Sequence, residues 1–194
     1  DVTELNKFPS VFAQLDFRKK IILETLIYHN IKLEEISAIV ARGGLLKPIA
    51  SGTYEINDKM EYDLYHATNG DHASNLGAIL AREIANQQRI PSYIVDPVVV
   101  DELSDVARIS GLAEIDRISI FHALNQKAVS RRFAKENKKR YENINLIVAH
   151  MGGGVTVGAH RKGKVIDVNN GLNGDGPFSP ERAGSLPTAS LVKL

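Results

Sequence analysis

Apolar positions along this 194-residue chain follow a helical period first and a strand period later. Across residues 12–28, Leu15, Ile22 and Leu26 recur near the helical spacing, and Ile21, Leu23 and Ile27 widen the apolar face, which predicts a helix. The short apolar run 36–41 predicts a strand entering Arg42-Gly43-Gly44. A second short strand is expected over 53–56 and a helix over 58–66. Leu76, Ile79, Leu80 and Ile84 share one side of a helix over 76–88. Pro91 then opens Ser92-Tyr93-Ile94-Val95-Asp96, a buried-strand pattern ending on a carboxylate. A further helix is expected over 120–137, with Leu124, Ala128 and Val129 on its apolar side.

From Asn145 the texture changes. Ile147-Val148-Ala149-His150-Met151 feeds Gly152-Gly153-Gly154, after which Val155, Val157 and Ala159 alternate with Thr156, Gly158 and His160. A period of two predicts strand, glycine turn, strand. A dinucleotide fingerprint or Walker loop would open a helix instead. The amides of such a turn can cradle a phosphate, and a plain tight hairpin is the competing reading. Arg161-Lys162-Gly163 predicts a turn into a strand over 164–168, and connections this short favour an antiparallel meander. The polar, glycine-rich stretch 169–185 lacks both periods and reads as a functional loop or a disordered one. A domain boundary is expected near 141–144. The meander would leave an apolar sheet face uncovered, so the chain is expected to be an incomplete portion of an α/β fold or to rely on another chain.

Composition removes several classes. Twenty-four basic and 23 acidic side chains give a net charge of +1, so no nucleic-acid partner is expected; Lys138-Lys139-Arg140, flanked by Glu136 and Glu142, reads as a solvated helix end. Without cysteine there is no disulfide framework and no thiolate metal site. No apolar run has the length of a bilayer span. A soluble, cytoplasmic protein with no membrane partner is the expectation.

Candidate chemistry lies at the element ends. Arg42, where a strand meets two glycines, suits a carboxylate or phosphate, with a surface ion pair as the alternative. Asp96 closes an apolar strand, a place for magnesium or general-base work in α/β folds, or for a turn cap. Asp101 and Glu102 read as capping or solvating groups. His72 precedes a helix that Ser74 or Asn75 could cap, and His122 stands near the start of a later helix; either histidine can donate to developing negative charge or be a buried hydrogen-bonded group. His150 adjoins the glycines, whereas His160 is expected to face solvent. The six histidines form no compact zinc pattern. The loop from Asp167 to Gly176 lacks the EF-hand spacing; Asp167 and Asp175 could orient magnesium or turn amides. Arg182 is a second candidate anion-binding arginine, with an ion pair to Glu181 as the alternative.

Taken together, ARGGLLKPIASGTY at 41–54, DHASNLGAILAREIA at 71–85, VDPVVVDELSDVARISG at 95–111, SIFHALNQKAV at 119–129, HMGGGVTVGAHRKGKVIDVNN at 150–170 and GPFSPERAGSLP at 176–187 resemble the butyrate kinases of the acetokinase family. That family lies within the acetate and sugar kinase, Hsp70 and actin superfamily. The resemblance implies a two-lobed, actin-like (ribonuclease H-like) α/β fold, with residues 1–144 belonging to the first lobe and an interlobe helix and 145–194 beginning the second. It implies reversible, ATP- and Mg2+-dependent phosphorylation of butyrate to butyryl phosphate in a homodimer. Branched-chain fatty-acid kinases are close relatives, so a related short-chain acid is the alternative substrate. A nonenzymatic nucleotide- or acyl-binding fragment is the alternative class.

By the same resemblance Arg42 would hold the carboxylate or the transferred phosphoryl group. Asp96 would organise magnesium or serve as the essential acid. His122 would stabilise the phosphoryl oxygens, His72 would lie on the substrate side, and Arg182 would be a second catalytic arginine. His150 with Gly152, Gly153 and Gly154 would form the second phosphate-binding motif for ATP/ADP. Met151 and Thr156 depart from the leucine and serine expected there. A first phosphate loop and a later adenosine-binding glycine region are also expected in the family, and neither is found here, hence the expectation of truncation at both ends.

Overall fold

The computed structural model describes residues 2–194, without the side chain of Val2. It divides into two compact units, one formed by the chain up to Lys47 with Gly52–Pro97, the other by Pro48–Ser51 with Val98–Leu194. The expected boundary near 144 followed the change in sequence texture; by packing, residues 98–144 group with the glycine-turn sheet.

The first unit contains α1 (Val2–Leu5), α2 (Leu15–Tyr28), β1 (Ile39–Arg42), β2 (Thr53–Glu55), α3 (Asp58–Tyr65), α4 (Asn75–Gln88) and β3 (Ser92–Val95). Its sheet has the order β1-β3-β2, with β1 parallel and β2 antiparallel to β3. The expected strands and helices form, although the run 36–41 yields a strand only from Ile39, after a 3-10 turn at Leu33–Glu35. Asn57 caps α3 by accepting the Met60 N–H at 2.9 Å, as a short polar residue before a helix should. Helix α4 covers the sheet, burying Leu76, Ile79, Leu80 and Ile84 beside Ile94 of β3 and Leu64 of α3.

Helix α2 forms where its period places it, yet buries none of its residues. Ile21, Ile22 and Ile27 are exposed. Its apolar side chains are spread around the axis rather than gathered in one stripe, so no single face closes a core. Instead it borders an apolar groove of about 350 Å³ with β1 and α4, lined by Ile22, Leu26, Ala41, Leu80 and Ile84.

The second unit contains α5 (Asp105–Arg108), α6 (Ala123–Glu136), β4 (Asn145–Met151), β5 (Val155–Arg161), β6 (Lys164–Val168) and α7 (Thr188–Leu191). The predicted meander is present: β4, β5 and β6 are consecutive antiparallel strands. Alternation assigns Thr156, Gly158 and His160 to the covered face, where α6 packs. The opposite face carries Ile147, Met151 and Val157 in the open, the uncovered apolar face the alternation predicted.

Two charged residues sit deep in this unit. The Lys127 ammonium, 1% exposed, donates to Glu102 Oε2 at 2.8 Å and to the Gly163 carbonyl at 3.1 Å. Glu102 also accepts the Val165 N–H at 2.9 Å. Glu102 is therefore a bolt between α6 and β6, and the expectation of a capping or solvating carboxylate is corrected. Asp101 holds Arg108 through two bonds of 2.8 and 2.9 Å.

Candidate active site

In the second unit the glycine turn, α6 and the loop after β6 bring side chains together. His122 is the residue immediately before α6, and His150 lies on β4. Their rings stack with centroids 3.7 Å apart and planes 7° from parallel. Asn125, three residues into α6, places Nδ2 2.8 Å from His150 Nδ1. The loop is tied to the turn by the Glu181 N–H, which donates to the Gly153 carbonyl at 3.1 Å. That bond carries Arg182 to the glycines. A Cβ at Gly154 would stand 2.5 Å from Arg182 Nη1 and 3.3 Å from His122 Cε1. Glycine there leaves the space of a side chain to a guanidinium and an imidazole, and any larger residue would push Arg182 aside.

His122, His150, Arg182 and Gly152–Gly154 thus lie together in one cluster. The Gly152 N–H is used within the turn, donating to the Gly154 carbonyl at 3.0 Å. Arg182 shares charge with Glu181 at 3.5 Å, whose carboxylate presses against Gly153. A guanidinium and two imidazoles beside a side-chain-free turn suit a phosphate group. Glu181 is exposed and is the group a phosphate would displace from Arg182.

Asparagine side chains tie the long loop together. Asn169 Oδ1 accepts the Val157 N–H at 2.7 Å, and Asn170 Oδ1 accepts the amides of Leu172 and Asn173, each at 3.0 Å. Asp167 and Asp175 face Arg117 at 3.0 and 3.7 Å, and Asp175 accepts the Asn170 N–H. Asp175 thus orients a turn amide, one of the two roles expected, while Asp167 pairs with Arg117 instead.

Arg42, His72 and Asp96 belong to the first unit. Arg42 ends β1 opposite Val95 of the parallel strand β3, and Asp96 is the next residue. Arginine and aspartate therefore stand at adjacent carboxyl ends of parallel strands, where α/β folds place their ligands. Asp96 is 1% exposed, and its backbone is left-handed at φ 39°. It exchanges two bonds with Gly52: its N–H donates to the Gly52 carbonyl, and its Oδ1 accepts the Gly52 N–H, both at 2.9 Å. A non-glycine residue in this region is uncommon, and here the turn bonds hold it. His72 Nδ1 accepts the Ser74 N–H at 3.1 Å and lies 2.8 Å from Ser74 Oγ. Since a backbone amide only donates, neutral His72 carries its proton on Nε2. Ser74 makes no side-chain cap to α4. Asn75 instead braces the preceding loop, accepting the Leu45 N–H at 2.8 Å and donating to the Gly70 carbonyl at 3.0 Å.

No group of three His, Asp or Glu side chains among the described residues could jointly hold a metal ion. Magnesium keeps several waters and takes one or two carboxylates beside substrate phosphates; Asp96 is the strand-end carboxylate of the first unit, 1% exposed with Oδ1 bonded to the Gly52 N–H.

The acetokinase family matches this chain over residues 91–191, more than half of its length. The chain belongs to the acetokinase family. It is 60% identical over 191 residues to butyrate kinase 1 of Clostridium acetobutylicum, covering 98% of this chain and 54% of that protein. Its fold matches the crystal structure of Porphyromonas gingivalis acetate kinase with a TM-score of 0.72 at 20% identity, over 90% of this chain and 47% of the other. A propionate kinase from Francisella tularensis matches with a TM-score of 0.65 at 23% identity, over the same 90% and 47%. The acetokinase α/β fold of the actin and Hsp70 superfamily is therefore the fold of this chain, which spans about half the length of these relatives.

Sequence reasoning missed the residues behind His122. His160, expected in solvent, is 2% exposed, because β5 alternation turns it to the same face as Thr156. Gln126 and Thr156 are fully buried. Two polar residues, Thr156 and His160, on the covered face of a strand, with a glutamine four residues after His122, were the available signal.

Proposed function

We propose that the complete polypeptide is a butyrate kinase, transferring the γ-phosphoryl group of ATP reversibly to the carboxylate of butyrate. The observation that carries this reading is the 60% identity to butyrate kinase 1 across nearly the whole chain. The chemistry agrees with it. A carboxylate is already a competent nucleophile, so the barrier is alignment and charge repulsion during in-line transfer, which fixed cations and donors reduce.

In this proposal His150 and Gly152–Gly154 receive nucleotide phosphates, Arg182 and His122 meet the transferring phosphoryl oxygens, and Arg42 and His72 hold the acid. Asp96 organises Mg2+, which when bound neutralises phosphate charge, rather than removing a proton the substrate does not have. Residues 1–144 would serve in the first lobe and interlobe helix, and 145–194 would open the second. A cytoplasmic homodimer is part of the same reading.

The test is acid-dependent ADP formation with acetate, propionate, butyrate and isobutyrate at matched ATP, on the complete polypeptide and on this chain. Preference for butyrate is expected. One methylene is worth only about 1 kcal/mol in an apolar pocket, so neighbouring acids will overlap. Preference for isobutyrate would reassign the enzyme to branched-chain acids. Turnover confined to the complete polypeptide, with ATP still bound by this chain, would make this chain a binding fragment.

A further inference from the structure

Behind His122 runs a line of buried polar groups that the cluster itself does not use. Tyr141 Oη lies 2.6 Å from His160 Nδ1, and His160 Nε2 lies 2.9 Å from Gln126 Oε1. Gln126 Nε2 reaches the Thr156 carbonyl at 3.0 Å and Thr156 Oγ1 at 2.9 Å. Thr156 Oγ1 is 2.9 Å from His122 Nδ1.

The protons on this line can be assigned from valence alone. A peptide carbonyl only accepts, so the Thr156 carbonyl requires the amide nitrogen of Gln126 on its side. Gln126 Oε1 then faces His160, whose Nε2 must carry a hydrogen to donate. Burial, and secondarily the Lys127 ammonium, pushes the His160 imidazole down to about 4, so the ring is neutral near pH 7 and its Nδ1 accepts the Tyr141 hydroxyl proton. Ser130 does not compete as a donor, because its hydroxyl proton goes to the Gln126 carbonyl at 2.7 Å.

Thr156 completes the line. Its hydroxyl oxygen accepts the Gln126 amide and, at 3.5 Å, the His122 backbone N–H. Its own proton is then directed to His122 Nδ1, 2.9 Å away. We infer that Tyr141, His160, Gln126 and Thr156 are positioning residues that fix neutral His122 as its Nε2–H tautomer and hold the ring against His150 beside Arg182. Every bond in the line donates in the same direction, toward His122, and bonds so aligned polarise one another. The outcome is a hydrogen on Nε2 for a phosphoryl oxygen, the atom an anion-stabilising histidine needs to present. Gly158 belongs to the device, since a Cβ there would stand 2.5 Å from Gln126 Oε1 and 3.1 Å from His160 Nε2.

This inference rests on the kinase reading for its purpose but not for its test. Nitrogen-15 spectra of histidine-labelled complete polypeptide at neutral pH are expected to show His122 with Nε2 protonated and Nδ1 bare. Thr156→Val removes the hydroxyl at nearly constant shape and should give a tautomer mixture, while Thr156→Ser keeps the wild-type pattern. In the butyrate assay, Thr156→Val should lower kcat about 10–100-fold, as loss of a group orienting a functional histidine does, with KM little changed and Thr156→Ser near wild type. Gln126→Glu offers a second route: a carboxylate accepts the Thr156 hydroxyl proton, so His122 should switch to Nδ1–H. A wild-type spectrum with Nδ1 protonated overturns the inference without any variant, and so does a Thr156→Val protein that keeps the pure Nε2–H pattern. Correct spectra without butyrate-dependent turnover would leave the positioning line standing and remove the kinase reading instead.

Discussion

The two groups of candidate residues are held by different physics. Arg42 and Asp96 owe their places to the main chain: adjacent strand ends, a left-handed residue and a pair of bonds to Gly52. His122 and His150 owe theirs to side chains, a ring stack and a buried amide–imidazole line, while Arg182 rides on a loop that one main-chain bond pins to the glycine turn. A site set by the backbone tolerates changes of charge at a fixed shape but not changes of shape. A site set by buried polar side chains has the opposite weakness, because one unmatched donor or charge costs more than a lost contact.

The largest expected effect breaks the side-chain-built region. Lys127→Met leaves Glu102 buried without its cation, and loss of one partner of such a pair costs about 3–5 kcal/mol. Urea unfolding should register that loss, and Lys127→Met with Glu102→Gln should recover most of it. A single variant as stable as wild type would show that the Glu102 bond to Val165 suffices alone. The next effect probes the backbone-built region. Asp96→Asn keeps an oxygen for the Gly52 N–H and a residue that accepts left-handed backbone, so stability should change by less than about 1 kcal/mol. Turnover of the complete polypeptide should nevertheless fall about 10²–10³-fold, with weakened apparent affinity for Mg2+. Unchanged Mg2+ dependence combined with loss of one step in the pH–rate profile would turn Asp96 from metal organiser into acid–base group.

This division also explains what could be read from the sequence. Strands, helices and the meander follow from periodicity, and the positions of Arg42, Asp96 and the glycine turn follow from element ends, which periodicity locates well. The line behind His122 depends on which polar residues face inward together across a helix and a strand. Alternation did assign Thr156 and His160 to one face, but a histidine at the end of a strand reads as solvent-exposed until the packing of α6 and Tyr141 is known. Helix α2 shows the converse: its helical state was legible, but the apolar residues that marked it lie all around the axis, so they define no face to bury and the helix buries none of its residues.

The His160 imidazole offers a pH-dependent measure of the same contrast. Its folded pKa of about 4 lies below the ordinary value of 6.5, so between those values the unfolded chain binds the extra proton. Stability from this group is complete above about pH 6.5 and declines as pH falls toward 4, by at most about 3 kcal/mol. Urea midpoints between pH 7 and pH 4.5 should fall more steeply for wild type than for His160→Gln. Parallel curves would show that His160 is not the buried neutral group its bonds require.

The smallest effect tests whether main-chain placement alone controls Arg42. Gly77, in the first turn of α4, lies so close to β1 that a Cβ would stand 2.6 Å from the Arg42 carbonyl oxygen. Alanine favours the helix by about 1 kcal/mol over glycine, so propensity alone predicts stabilisation. The clash opposes it, and overpacking against main-chain atoms costs about 1–3 kcal/mol. Because the obstacle is a carbonyl rather than a flexible side chain, the helix or the end of β1 must shift, and the net result should be mild destabilisation with a larger relative loss of butyrate affinity than of stability. The readouts are the urea midpoint and KM for butyrate of Gly77→Ala in the complete polypeptide. A stabilised variant with unchanged KM would mean that α4 can retreat without moving Arg42, and that the strand end is positioned by β3 alone.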